Sequence, residues 1–260
     1  MKLFAIFGNP VSHSLSPLMH NGALKELGIE GCYTRYLLKE GYRLREVFLS
    51  LKLDGANVTV PHKEDAFKAC DEVRGIAREI GALNTIVYKE GKLIGYNTDA
   101  PGFYESVKEF DAKRVLILGA GGTARAVALY LKEKGYDVTV LNRSEERLSF
   151  FRDKNLKTFS WSDFTPSSYD LIVNTTSAGL SDDSLPMDES VLRELFKNAK
   201  YCVDAIYKET PFLSLAKSFS LRVKDGKEML LYQGVIAFYH FFDGAFSKEE
   251  IKRGMIKAFE

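Results

Sequence analysis

Two sets of residues in this chain have the types and spacing that chemistry needs. The first is Gly119-Ala120-Gly121-Gly122-Thr123-Ala124. It follows the continuous apolar run Arg114–Leu118 and opens a helical pattern. In that context Gly119 permits a tight turn and Gly121 lets the backbone approach a pyrophosphate. The helix N-terminus adds free N–H groups and the positive end of its dipole. Ala124 stands where a third glycine is usual. A bare turn with no ligand would use the same glycines, but here a complete strand–turn–helix–strand unit surrounds them. The next strand, Asp137–Leu141, closes on Asn142-Arg143-Ser144. NAD sites place a carboxylate there for the ribose hydroxyls. This chain offers Arg143 instead, with Arg147 one turn further on. A planar guanidinium fork suits a 2′-phosphate, so NADP is the expected cofactor. The alternative is a solvated arginine pair beside Glu145 and Glu146.

The second set lies in the first hundred residues. It comprises Ser12-His13-Ser14-Leu15-Ser16-Pro17, Asn57–Lys63, Gly81–Thr85 and Gly95–Asp99. Each stretch sits at or near an expected strand end, where open α/β sheets bind ligands. Together they supply hydroxyls, amides, an ammonium and a carboxylate, groups that suit a small molecule carrying several hydroxyls and a carboxylate. Each also has a plain structural reading. Ser16 reads as an N-cap before Pro17, Asn84 as a turn cap, and Lys63 as a solvated side chain.

The elements that must hold these residues alternate. Strands are expected at Leu3–Phe7, Cys32–Leu38 and Ala56–Val60, and helices at Leu18–Leu27 and Leu44–Leu51. Leu83–Tyr88 and Lys92–Tyr96 flank Glu90-Gly91 as a hairpin. From about Ala100 a second block begins. Its strands are expected at Arg114–Leu118, Asp137–Leu141, Asp170–Asn174 and Cys202–Ile206, with a short one at Leu221–Lys224. A helix runs to about Lys134 and another starts at Ser144. That alternation predicts a doubly wound α/β sheet. The tail from about Lys227 is read as helical throughout, and a short linker is expected at Asp99–Gly102.

Composition limits the partners. A net charge of +1 over 260 residues gives no electrostatic case for nucleic acid or an anionic membrane. Cys32, Cys70 and Cys202 stand far apart, so neither a disulfide framework nor a metal site is expected. The opening MKLFAIFGNP is apolar too briefly for a signal segment, and no run long enough to span a membrane occurs. Cytoplasm is the expected compartment, for a monomer or homodimer.

The motifs GNPVSHSLSP, NVTVPHK, GALNT and YNTDAPGF resemble those of the shikimate dehydrogenase family in order and spacing. So do GAGGTARA, LNRS, NTTSAG, Asp204-Ala205-Ile206-Tyr207 with Thr210-Pro211, and DGKEMLLYQG. The resemblance covers nearly the whole chain. It implies a substrate domain of residues 1–99 plus 232–260 and a Rossmann NADP domain of residues 100–231. It implies that Ser14 and Ser16 bind a substrate carboxylate and that Thr59, Asn84 and Gln233 bind hydroxyls. Lys63 and Asp99 would form the catalytic pair, with Tyr207 beside the substrate and Ala205 and Gly226 beside the nicotinamide. The implied reaction is NADPH-dependent reduction of 3-dehydroshikimate to shikimate, in aromatic amino-acid biosynthesis. Thr123 replaces the Ala or Ser that such enzymes often carry, and Ala205 a larger apolar residue.

Hydride transfer to a ketone builds charge on its oxygen, and Lys63 is the expected donor that meets it. His13 and His62 are alternative acids. Two other readings are a quinate/shikimate dehydrogenase using either nicotinamide and a non-catalytic regulator binding the same ligands. Arg143 weighs against the first, and the presence of both Lys63 and Asp99 against the second.

Overall fold

A computed structural model describes residues 1–260, which divide into two compact units. One comprises Met1–Gly102 and Leu231–Glu260; the other comprises Phe103–Leu230.

The first unit contains β1 (Lys2–Gly8), α1 (Ser16–Glu26), β2 (Gly31–Leu37), α2 (Leu44–Ser50) and β3 (Gly55–Val58). There follow α3 (Lys63–Ala69), β4 (Glu72–Val73), α4 (Ala77–Ile80), β5 (Thr85–Lys89) and β6 (Lys92–Tyr96). Its six-stranded sheet runs β2-β1-β3-β5-β6-β4. The β1, β2 and β3 strands are parallel, while β5 pairs antiparallel to both β3 and β6. Glu90 and Gly91 both have positive φ, the two-residue hairpin turn that fits strand twist. Phe7, Leu44, Phe48, Leu83 and Ile86 lie in one buried cluster of this sheet.

Helix α5 (Asp99–Val107) replaces the expected linker, since Asp99 starts it. The tail is not helical throughout. It forms α10 (Lys227–Phe241) and α11 (Lys248–Lys257). Asp243 and Gly244 take positive φ between them, and Ser247 with Glu250 forms a capping box that starts α11 afresh. Helix α10 brings Phe241 onto Phe4 of β1, rings stacked at 4.8 Å.

The second unit holds β7 (Arg114–Leu118), α6 (Gly122–Glu133), β8 (Asp137–Asn142), α7 (Ser149–Asp153) and β9 (Lys157–Ser160). It continues with β10 (Leu171–Asn174), α8 (Glu189–Phe196), β11 (Tyr201–Asp204), α9 (Pro211–Ser218) and β12 (Arg222–Lys224). All six strands are parallel, ordered β12-β11-β10-β7-β8-β9. This is a doubly wound sheet whose order reverses between β7 and β10. Leu116 and Ile172 are fully buried, as parallel strands covered on both faces require. The helix expected from Ser144 is a 3-10 turn over Glu145–Leu148 that leads into the short α7. No helix is long and apolar enough to cross a membrane.

Candidate active site

In the first unit, Lys63 opens α3 and Asp99 opens α5. The backbone carbonyl of Lys63 accepts from Leu83 N–H at 3.1 Å, which fixes the root of the side chain. Its ammonium donates to Asp99 Oδ2. The other carboxylate oxygen accepts from Asn84 Nδ2 at 2.9 Å. Side-chain exposures of 24% and 13% make this a half-buried ion pair, less screened than a surface pair. An ammonium so held stays reachable by a ligand.

Asn84 is oriented by groups with only one possible role. The Thr98 backbone N–H can only donate, and it reaches Asn84 Oδ1 at 2.7 Å. The Nδ2 edge must therefore face Asp99 Oδ1, Thr98 Oγ1 (3.0 Å) and Gln233 Oε1 (3.4 Å). Gln233 arrives from α10, where α5 presents Gly102. A Cβ on Gly102 would lie 2.6 Å from the Gln233 nitrogen, so only glycine permits the approach.

The remaining expected residues of this unit lie just before and at the start of α1 and just after β3. The Arg35 guanidinium holds the Ser14 carbonyl at 2.6 and 3.1 Å. Ser14 Oγ accepts from the Ser16 N–H at 3.3 Å. Ser16 does not cap α1. It is the helix's first residue, Leu15 takes the cap position without a side-chain bond, and the buried Ser16 side chain adjoins Tyr33. Thr59 N–H donates to the Phe7 carbonyl at 2.8 Å. No hydrogen bond joins Ser14 or Thr59 to the Lys63 cluster. His62 is buried, with Nε2 2.6 Å from the Leu38 carbonyl, so that nitrogen carries the proton and is already committed. His13 is exposed.

In the second unit, the turn after β7 is open. Gly119 has φ 106° and donates to the Leu141 carbonyl at 2.8 Å, a conformation that L side chains avoid. A Cβ on Gly121 or Gly122 would meet nothing within 4 Å, so free space lies over the start of α6. Ala120 is buried and Thr123 half-buried beside it. At the end of β8, Asn142 Nδ2 donates to the Ser144 carbonyl at 2.9 Å. Arg143 and Arg147 are exposed and make no ion pair, whereas Glu145 is taken by Arg152 at 2.5 Å. Unpaired donors over open space are what a pyrophosphate and a 2′-phosphate need, so these residues fit an NADP dinucleotide.

The ends of β10 and β11 carry a further polar knot. Asp204 has no exposed surface. Its carboxylate accepts from Ile206 N–H at 3.0 Å, Asn174 Nδ2 at 3.1 Å and Thr210 Oγ1 at 2.8 Å. Burial pushes its carboxyl above the ordinary range, and the three hydrogen bonds oppose that rise. The knot fixes the loop that carries Ala205 and Tyr207. Ala205 N–H donates to the Asn174 carbonyl and Gly226 N–H to the Ile206 carbonyl, both at 2.9 Å. Tyr207 is 44% exposed.

Comparison with known proteins identifies the family. Residues 6–86 match the family described as the shikimate dehydrogenase substrate binding domain, and residues 104–179 that described as shikimate / quinate 5-dehydrogenase. The chain is 51% identical to the NADP(+) shikimate dehydrogenase of Helicobacter hepaticus, covering 100% of this chain and 98% of that one. It belongs to the shikimate dehydrogenase family. The enzyme of the same name from Aquifex aeolicus is 39% identical over 91% of this chain and 90% of its own. Shikimate 5-dehydrogenase from Thermus thermophilus, solved with NADP(H) and shikimate, superposes with a TM-score of 0.87 at 37% identity. That match covers 99% of this chain and 100% of the other.

Of the residues that support those on view, the sequence reading named Asn57, Thr85, Thr98, Asn174, Asp204 and Thr210 only as members of motif stretches, without a role, and Tyr33 not at all. Asn57, Thr85 and Thr98 bond to Asn84, Tyr33 bonds to Asn57, and Asn174, Asp204 and Thr210 hold the Ala205–Tyr207 loop. Asn57, Asn174 and Asp204 carried one usable signal. Each is a polar residue within an apolar strand run, where only a satisfied side chain is tolerated.

Proposed function

We propose that this chain is an NADP-dependent oxidoreductase that reversibly reduces 3-dehydroshikimate to shikimate. The half-buried Lys63–Asp99 pair, held by Asn84 on one carboxylate oxygen, is the observation that carries this reading. Residues Met1–Gly102 with Leu231–Glu260 bind the substrate, and Phe103–Leu230 bind the dinucleotide. Ser14 and Ser16 take the substrate carboxylate, and Thr59, Asn84 and Gln233 take its hydroxyls. Tyr207 lies beside the substrate. Gly119 to Thr123 hold the pyrophosphate; Asn142, Arg143, Ser144 and Arg147 hold the 2′-phosphate end; Ala205 and Gly226 flank the nicotinamide. Bound NADPH supplies the hydride.

The proton is the chain's own contribution. As charge grows on the ketone oxygen, the Lys63 ammonium meets it and gives up a proton. Asp99 keeps the ammonium in place, and Asn84 keeps Asp99 from turning. In the reverse direction Lys63 accepts the proton. A fixed donor that strengthens its bond only as charge develops lowers the barrier rather than the ground state. His62, committed to the Leu38 carbonyl, is a poor rival for the role.

The partners are small molecules, and the cytoplasm is the compartment this chemistry calls for. The test is NADP+ reduction, followed by absorbance, with shikimate, then quinate, then NAD+ in place of NADP+. Turnover is expected with shikimate and NADP+ well above the other combinations. Equal turnover with quinate and NAD+ favours a quinate/shikimate dehydrogenase, and no turnover favours a ligand-binding regulator.

A further inference from the structure

A chain of buried hydrogen bonds leads away from Asn84 into the sheet, and nothing in the reaction above uses it. Asn57 is 4% exposed, Asn84 3%, and Thr85 and Thr98 are both at 0%. Asn57 Nδ2 donates to the Asn84 carbonyl at 3.1 Å and to Thr85 Oγ1 at 3.0 Å. Because that carbonyl can only accept, the amide of Asn57 has one possible orientation, and its Oδ1 faces Tyr33. The Tyr33 hydroxyl must then be the donor in the 2.7 Å bond between them. Thr85 Oγ1, receiving from Asn57, is left to donate to Asn84 Oδ1 at 3.3 Å or to share a proton with Thr98 Oγ1 at 3.1 Å. Two backbone groups, the Asn84 carbonyl and the Thr98 N–H, thus set the orientations of both amides between Tyr33 and Asp99.

The far end is clamped as well. Tyr33 is 2% exposed, and His20 lies flat on its ring at 4.3 Å and 4°. Neither ring nitrogen of His20 has a hydrogen-bond partner, and burial drives its pKa down to about 3. The imidazole is therefore a neutral plate, packed also on Phe238, that fixes the phenol without adding charge. The Ser16 side chain adjoins the Tyr33 hydroxyl.

We propose that Tyr33, Asn57 and Thr85 form a positioning chain that orients Asn84, and through it Asp99 and the Lys63 ammonium. None of the three is among the substrate-binding residues proposed above. They act together with the Thr98 N–H, pinning the Asn84 carbonyl and Oδ1 from the sheet side so that the amide cannot shift from the position in which it meets Asp99 Oδ1 and leaves Oδ2 for Lys63. In a buried network a missing link leaves its neighbour unsatisfied, and the neighbour turns to find another partner. The inference rests on the catalytic assignment of Lys63 and Asp99 made above.

The test measures kcat, KM for shikimate, KM for NADP+ and the melting temperature of four proteins. They are the wild type, Tyr33→Phe, Thr85→Val and Thr85→Ser. Tyr33→Phe and Thr85→Val each remove one hydroxyl with little change of shape. Each is expected to lower kcat/KM for shikimate about tenfold, leaving KM for NADP+ unchanged. Thr85→Ser keeps the hydroxyl and is expected to recover most of the loss. If Tyr33→Phe does not fold, the Thr85 pair decides. Wild-type kcat/KM in Thr85→Val overturns the proposal, whatever the melting temperature does, and so does a Thr85→Ser enzyme as slow as Thr85→Val. A wild type that reduces no NADP+ with shikimate overturns the catalytic assignment itself, and this inference with it.

Discussion

Around Asn84, polar side chains satisfy one another, whereas on the turn after β7 the donors face open space. Asn57, Asn84, Thr85 and Thr98 direct amides and hydroxyls to one another and to Asp99. Gly121, Gly122, Arg143 and Arg147 have neither neighbours over the turn nor ion pairs. The contrast fits the role proposed for each region. A proton transfer needs one nitrogen held within a few tenths of an ångström, and a satisfied, buried network supplies that without the ligand. A dinucleotide brings its own charges and acceptors, so the protein keeps its donors free until the ligand satisfies them.

That contrast predicts opposite kinetic signatures at its two ends. The largest effect belongs to Lys63→Met, which keeps the bulk and removes the ammonium. We expect kcat to fall by about 10²–10⁴, with a far smaller change in shikimate affinity. A variant that keeps kcat and loses only KM would make Lys63 a binding residue and erase the distinction.

Next comes Arg143→Asp, which sets a carboxylate where a 2′-phosphate is expected. KM for NADPH should rise about tenfold or more, with kcat nearly kept and NADH spared or improved. Equal losses with NADPH and NADH in steady-state assays would show that the open end does not read the phosphate.

The smallest effect tests whether the second unit also has a satisfied region, the knot at Asp204. Burial raises this carboxyl's pKa in the fold, so the charged form is the strained one. Above the folded pKa the full cost of burying the charge is present, and it is relieved as pH falls through that value toward the unfolded one. Asp204→Asn removes the linkage. The melting temperature of the wild type minus that of the variant should therefore rise as pH is lowered from neutral toward the ordinary carboxylate range. A flat or falling difference would show that the hydrogen bonds outweigh burial.

The parts that were legible in the sequence are those set by neighbours along the chain. Arg114–Leu118 is a strand to the residue, and Glu90-Gly91 makes its hairpin turn, because apolar runs and turn residues act locally. Strands β4 and β9 were not legible. The first has two residues, and the second is an edge strand of four with a mostly exposed surface. Ser16 misled for a related reason. A serine before a proline looks like a cap, but burial beside Tyr33 turns the side chain inward. The stretches that carry the candidate site stood out because polar types gather there at strand ends, while the role of each residue came from the family resemblance. The supporting bond from Tyr33 to Asn57 joins positions 24 residues apart, and only the pairing of β1 with both β2 and β3 brings them together.

The discontinuity of the first unit has a consequence for the order in which the protein is made. Phe103–Leu230 is a single stretch and can close as soon as its last strand leaves the ribosome. Met1–Gly102 emerges first and waits longest. Until Leu231–Glu260 appears, Asn84 lacks Gln233, Phe4 lacks Phe241, and Glu26 lacks the Lys257 ammonium 2.9 Å from its carboxylate. The half of the molecule that carries the ion pair is thus the first to be translated and the last to be completed.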